Sequence, residues 1–399
     1  MTRRGAAVLG LGLMLAAAGV VLGVHDLTRV GALLVALPFI ARVLVGRRLD
    51  LDVERTVVPA MVTPGSSATV DLRLRNTGTA TSPQLVAEER VGLALGDRPR
   101  MLLARLGPGE QRAISYRARA HVRGRHPVGP LSVRAGDAFG LATREVTLPG
   151  QSSVIVLPRT VPLAGLPPMH PASDGDEESP RRHTLHGSSD VGVREFRDGD
   201  DLRHIHWPST ARTGSMMVRQ DEQPGRQRAL VLLDNQTSSH SGSGESGSFE
   251  WAVSATASVV AHLVASGRQT YLATADLSTE PVTPLPSVEE ALAALAVLEQ
   301  TDDTGSAGLL DAATELAEHG GGTIVAVLGP IDEVQARRLT RAARGIALVL
   351  DPTRTGTDAD GPSATAALLA AGGWRAVDVT PGARVEMLWS ELVAGGEPG

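Results

Sequence analysis

Three hydrophobic patterns succeed one another along the chain. Residues Gly5 to Val24 carry no charge and are long enough to cross a bilayer core as a helix. Val30 to Gly46 form a second apolar run, broken only by Arg42, whose guanidinium can snorkel to the interface. The connector His25–Arg29 reads as a tight turn, so residues 1–48 are expected to form a transmembrane helical hairpin. Gly19 and Gly23 are spaced for close helix packing, but the general glycine richness of the chain is the simpler account of the pair.

From residue 50 to 160 the period becomes two. Ala68–Asn76 alternates apolar and polar positions, and Asn76-Thr77-Gly78 marks a turn. Further strands are expected at Leu85–Val91, Met101–Leu106, Gln111–His121, Leu131–Ala135, Val146–Leu148 and Val154–Leu157, punctuated by Gly and Pro. Short, evenly spaced strands predict an all-β immunoglobulin-like sandwich, whose plain role is that of a spacer or docking module. Residues 161–192 are poor in apolar side chains and read as an exposed, flexible linker.

From residue 228 to 399 strands and helices alternate. Ala229–Leu233 is a continuous apolar run ending in Asp234. Helices are predicted at Phe249–Ala265, Val288–Glu299, Gly308–Glu318, Ile331–Arg344, Ser363–Ala371 and Ala383–Val393. Strands are predicted at Gln269–Ala275, Thr323–Leu328, Ile346–Leu350 and Trp374–Val379. Strands this apolar are buried on both faces, which predicts a Rossmann-type α/β domain with a parallel sheet between helices.

Charge adds a topology. Arg3 and Arg4 precede the first span, and Arg47, Arg48 and Arg55 follow the second, against Arg29 alone in the connector. The positive-inside rule makes the chain a two-span, multi-pass protein of the cell membrane, with both termini and the soluble domains cytoplasmic. A cleaved signal peptide is the rival for the first span, and non-insertion of the short second span would place the bulk outside. The net charge of −6 argues against nucleic acid as a partner. With no cysteine, disulfides and thiolate chemistry are excluded.

Residues 193–227 are a charged segment. Within Gly192–Arg212 stand four arginines and four acids around few apolar residues. Each ion is either solvated or paired, because an unpaired buried charge is costly. On an extended strand Arg203, Ile205 and Trp207 share one side and His204 and His206 the other, after an Asp198-Gly199-Asp200 turn. The expected arrangement pairs Arg194, Arg203 or Arg212 with Glu195, Asp200 or Asp201, with Trp207 and Phe196 over the arginine stems. That makes the segment a structural clasp between the two soluble domains, with surface docking of a partner as its rival.

Enzymatic constellations are weaker. His183, His186, His204 and His206 have the donor type for zinc but no matching carboxylate. Ser209, His206 and Asp200 lie too close in sequence for a hydrolytic triad, and no nucleophile elbow accompanies them. No phosphate-binding glycine loop occurs.

Three features together resemble the domain of unknown function 58 family, membrane proteins with a von Willebrand factor A-like domain. These are Arg123-Gly-Arg-His-Pro-Val-Gly-Pro-Leu131 followed by Asp137-Ala-Phe-Gly-Leu141; the charged stretch Val193–Arg212; and the strand ending in Asp234. The resemblance implies a MoxR-type AAA+ ATPase and other von Willebrand factor A proteins as partners. It also implies comparison with a metal-ion-dependent adhesion site, which uses an Asp-x-Ser-x-Ser loop, a Thr and a second Asp. Here the loop is Asp234-Asn-Gln-Thr-Ser238; Gln236 replaces the first serine, and Leu328-Gly-Pro330 stands where the second aspartate belongs. Thr301 or Thr304 would supply the threonine, and Ser239–Ser248 reads as a flexible loop. The expectation is a degenerate site around Asp234 and Ser238, with no cofactor. The expected function is a non-enzymatic membrane-anchored scaffold or adaptor. A protein-binding domain dependent on magnesium or another divalent cation is the alternative, and a hydrolase the third.

Overall fold

The computed structural model describes residues 1–46, 49–167, 192–195, 205, 207–220, 227–275, 283–302, 307–318, 321–353 and 361–394. It divides into two units, Met1–Arg159 with Leu292–Leu298, and Thr160–Ala291 with Glu299–Gly399.

The first unit begins with α1 (Arg3–Leu22) and α2 (His25–Val45), both long and apolar enough to cross a membrane. The connector is shorter than the sequence suggests. Gly23 takes a left-handed conformation (φ 70°) and donates to the carbonyls of Gly19 and Val20, ending α1 at once. His25–Arg29 therefore belongs to α2, with Asp26 in its first turn. The glycines do serve packing, although the pair is not Gly19 and Gly23. A Cβ on Gly12 would lie 2.9 Å from Val35 N, one on Gly19 2.6 Å from Thr28 N, and one on Gly31 2.4 Å from Ala16 N. Small residues on both helices let the backbones approach.

The β-rich part holds two sheets. One has the order β1 (Leu51–Val58), β3 (Ser67–Asn76), β6 (Gln111–Arg119). The other runs β2 (Met61–Val62), β9 (Ser152–Val156), β7 (Gly124–Gly136), β4 (Leu85–Val91), β5 (Arg100–Leu103), with β8 (Thr143–Leu148) also on β7. Alternate residues of both sheets, including Val70, Leu72, Leu85, Leu131 and Val154, share one core. β1 and β2 lie outside the predicted strands, and β7 begins seven residues earlier than predicted. Its prolines and glycines disguise it as loop. Gly129 is needed there: its φ is 99°, and a Cβ would lie 2.8 Å from the Arg55 guanidinium.

The second unit is built on five parallel strands: β12 (Arg228–Leu233), β13 (Gln269–Thr274), β14 (Thr323–Leu328), β15 (Gly345–Val349) and β16 (Arg375–Asp378). Their order is β13-β12-β14-β15-β16. Leu230 and Leu232 pack with residues of α6 (Ala307–Glu318), α7 (Glu333–Ala342) and α8 (Ala364–Ala371). Val231 and Leu233 point to the opposite face. The helix α4 (Ser248–Ala265) packs on β12, β13 and β14. It too has the length and composition of a membrane span, but its side chains form core. α9 (Val385–Ala394) completes the helices used below.

Part of the expected flexible linker is tied down. His262 Nε2 donates to Gly165 O at 2.6 Å, Trp389 Nε1 to Ala164 O at 3.0 Å, and Val161 N to Ser258 Oγ at 3.0 Å. Residues 160–167 thus form a strap along α4 and α9, held through backbone groups that composition does not reveal. The rest of the segment to residue 191 lies outside the described residues.

Candidate functional site

In an open sheet whose strands follow the order 2-1-3-4-5, ligands bind beyond the carboxyl ends of strands 1 and 3. Here those are β12 and β14, so the crevice is flanked by Asp234 and Gly329. The five buried residues Ala229–Leu233 carry Asp234 to the sheet edge, where it is itself buried.

The carboxylate of Asp234 is enclosed by the protein's own donors. Oδ1 accepts from Gln236 N at 3.1 Å, and Oδ2 accepts from Ser239 Oγ at 2.6 Å and Gly329 N at 3.2 Å. Three donors stabilise the charge, and no ion pair to it occurs among the described residues. Gly329 is required for this closure, because a Cβ there would lie 2.3 Å from Ser239 Cβ.

The surrounding loop is stitched by Asn235 and His240. Asn235 Oδ1 accepts from Ala275 N at 2.9 Å, and its Nδ2 donates to Glu299 O at 3.1 Å. His240 Nε2 lies 2.7 Å from Asp234 O. A carbonyl only accepts, so Nε2 carries the proton and Nδ1 faces the Ser248 hydroxyl at 3.4 Å. Burial holds the His240 pKa below its ordinary value, against the raising effects of the Asp234 carbonyl and charge. Its ring meets Phe249 edge-on at 5.1 Å. Ser239–Ser248, expected to be flexible, contains this ordered anchor.

Of the expected threonines, Thr301 is brought to the loop. Its N donates to Asn235 O and its O accepts from Thr237 N, both at 2.9 Å. Its hydroxyl is buried without a partner among the described residues. Thr304 lies outside them.

These donors are engaged mainly with one another. Hard cations take about six or more oxygen ligands. Asp234 already spends both oxygens on protein donors, Ser238 is exposed, and Gly329-Pro330 brings no second carboxylate. Among the described residues no three His, Cys, Asp or Glu side chains converge as ligands.

Of the strand predicted over Arg203–Trp207 only Ile205 and Trp207 are described, and Trp207 begins a helix instead. β10 (Gly192–Glu195) pairs antiparallel with β11 (Met217–Gln220), opposing Glu195 to Met217 and Arg194 to Val218. Between them α3 (Trp207–Thr213) is helical. Pro208 in its first turn, where no N–H is needed, was the available signal. Thr210 Oγ1 accepts from Met217 N at 3.0 Å, closing the helix onto β11. Trp207 is 67% exposed, and Arg212 is exposed in the last turn; the Arg194 and Arg203 side chains expected beneath Trp207 lie outside what the structure describes. Ser209 also lies on α3. Asp200, Asp201, Arg203, His183, His186, His204 and His206 lie outside the described residues.

Sequence reasoning missed Ser239, Asn235, His240 and Gly329. The glycine of Leu328-Gly-Pro330 signalled close approach at that turn.

Comparison with known proteins places the similarity on this region. Residues 192–342 match the family described as Protein of unknown function DUF58. The chain is 28% identical over 154 residues to the uncharacterized protein YeaD of Bacillus subtilis (strain 168), covering 39% of this chain and 37% of that protein's length. Among solved structures, the CARDB domain of a Pyrococcus furiosus protein in complex with di-metal ions is 18% identical, at a TM-score of 0.21, over 27% of this chain and 88% of that one. A putative ApaA protein from Bordetella pertussis is 16% identical, at a TM-score of 0.20, over 27% of this chain and 91% of that one. The stretch similar to DUF58 thus carries the β10–α3–β11 ribbon, the Asp234 loop and the Gly329 turn.

Proposed function

We propose that this protein is a membrane-anchored, non-enzymatic scaffold or adaptor whose soluble domains bind protein partners. Its α/β domain is von Willebrand factor A-like and its β domain immunoglobulin-like. Both face the cytoplasm in this reading, on the side of Arg3, Arg4, Arg47 and Arg48. The partner class is an AAA+ ATPase of the MoxR type. The observation that carries the reading is the closure of Asp234 by Gln236, Ser239 and Gly329 at the sheet edge where this topology holds ligands. Exposed Trp207 supports partner docking at the charged segment, since large exposed aromatics mark interfaces. Affinity capture of the full chain from membranes, with Trp207→Ala and Asp201→Arg variants, tests it. The reading holds if an ATPase is captured and both variants lose it with unchanged melting. If Asp201→Arg instead lowers the melting temperature and retains the partner, the segment is a structural clasp.

A second reading, a cation-dependent binding domain, has one observation in its favour, the Thr301 hydroxyl beside the Asp234 loop, buried without a partner among the described residues. A magnesium-dependent rise in melting temperature that Asp234→Ala removes would establish it in place of the first.

A further inference from the structure

The Asp137-Ala-Phe-Gly-Leu141 turn joins β7 to β8, and its geometry is fixed from within. Asp137 Oδ2 accepts from Phe139 N at 3.0 Å, and Oδ1 from Ala142 N at 2.6 Å. The rigid turn is seated on the membrane hairpin. Thr2 N donates to Leu141 O at 3.0 Å, and Thr2 Oγ1 to Gly140 O at 2.6 Å. The same Thr2 hydroxyl caps α1 by accepting from Gly5 N. A Cβ on Gly5 would lie 2.2 Å from Leu141 O, so that glycine admits the turn. Leu141 and Ala142 are buried against Ala41, with Val8, Leu37 and Val45 around them. Arg144 NH1 donates to Gly46 O at 2.6 Å, tying the start of β8 to the end of α2.

These contacts set the depth of the turn. Leu37, Ala41 and Val45 form one face over the last two turns of α2, a length of about 12 Å at 1.5 Å per residue. On the other side of those turns Phe39, Ile40, Val43 and Leu44 are exposed, as lipid-facing residues are. The turn therefore lies where the spans leave the hydrocarbon. At its tip Phe139 is 71% exposed. The exposed Arg3 and Arg4 begin α1 beside it, and a Cβ on Gly140 would lie 4.0 Å from Arg4 NH1.

We propose that this turn is a lipid anchor of the β domain: Phe139 inserts into the headgroup–acyl boundary while Arg3 and Arg4 bind anionic phospholipid headgroups. The occupant is the bilayer because the apolar surface of the tip continues that of the spanning helices. Aromatic rings favour this interface, and juxtamembrane arginines are drawn to anionic lipid. The anchor would fix the β domain against the membrane plane, beyond its covalent tether. The proposal rests on the hairpin being embedded, and the test separates the two.

The chain has no cysteine, so single nitroxide labels can be placed in the full-length protein in lipid nanodiscs. Phe139→Cys reports the tip, Met14→Cys the middle of α1, and Leu102→Cys on β5 an exposed position away from the turn. The expected result is oxygen collision exceeding nickel-chelate collision severalfold at position 139 relative to 102, with position 14 deeper still. Replacing phosphatidylglycerol by phosphatidylcholine, or Arg3 and Arg4 by Gln, should make position 139 shallower. Free access of nickel at 139 with position 14 embedded overturns the anchor alone. Shielding of 139 from both reagents overturns it in favour of a protein contact. Free access of nickel at position 14 overturns the spanning hairpin, and the anchor with it.

Discussion

Arg55 NH2 and Glu89 Oε1 form an ion pair of 2.6 Å whose side chains are 3% and 0% exposed. Arg55 also donates to Gly150 O at 2.8 Å. The pair is incompletely satisfied: Arg55 Nε, Glu89 Oε2 and the Tyr116 hydroxyl have no partner among the described residues. Burial pushes the Glu89 carboxyl up, and the charge and hydrogen bond of Arg55 counter this only in part. Burial and the Glu89 charge likewise push the Tyr116 hydroxyl above the phenol range. Removing one member of a buried pair costs about 3–5 kcal/mol. Glu89→Ala should therefore destabilise by that order in denaturant titration of the full chain. Because the native pKa of Glu89 is raised, its favourable contribution is present below the usual 4.5 and lost as pH rises through the native value. Glu89→Gln should flatten that dependence.

At the sheet edge the test is steric. Gly329→Ala places a methyl group against Ser239, and overpacking of this kind costs about 1–3 kcal/mol or more. Ser239→Ala removes a donor from a buried carboxylate, at a cost of about 1–3 kcal/mol. In a Ser239→Gly background Gly329→Ala should cost less than alone, and a double-mutant cycle measures that coupling. Additive effects would refute the packing account.

His240 supplies a pH dependence. Its native pKa is held below 6.5, so the unfolded chain takes up the proton first. Its contribution is complete above about pH 6.5 and is lost as pH falls through the lowered native value. His240→Gln should lower the melting temperature near pH 8 and flatten its decline toward pH 5.

The strap makes a local prediction. Trp389→Phe deletes the bond to Ala164 O, worth about 1 kcal/mol. Hydrogen exchange should accelerate in residues 160–167 and not in β12. Unchanged exchange in the strap would show that Trp389 does not hold it.

Hydrophobic periodicity by itself determined the order of the elements: two apolar helices, a β-rich region and a parallel α/β sheet. It even placed β4 and β14 at their termini, because a residue's burial in a sheet is written in its own type and its neighbours'. The same logic misled where backbone chemistry overrode side-chain pattern, as in β7 with its prolines, the start of α2 after Gly23, and the helix beginning at Trp207. The candidate site was legible only to Asp234. That its carboxylate is closed by Ser239 and Gly329, that Arg55 reaches Glu89, and that Thr2 meets Leu141 were decided by tertiary structure. Only the Asp234–Ser239 bond is local, spanning five residues, and the other contacts join groups far apart in the chain. Their partners are set by strand order and by backbone donors and acceptors that every sequence carries alike.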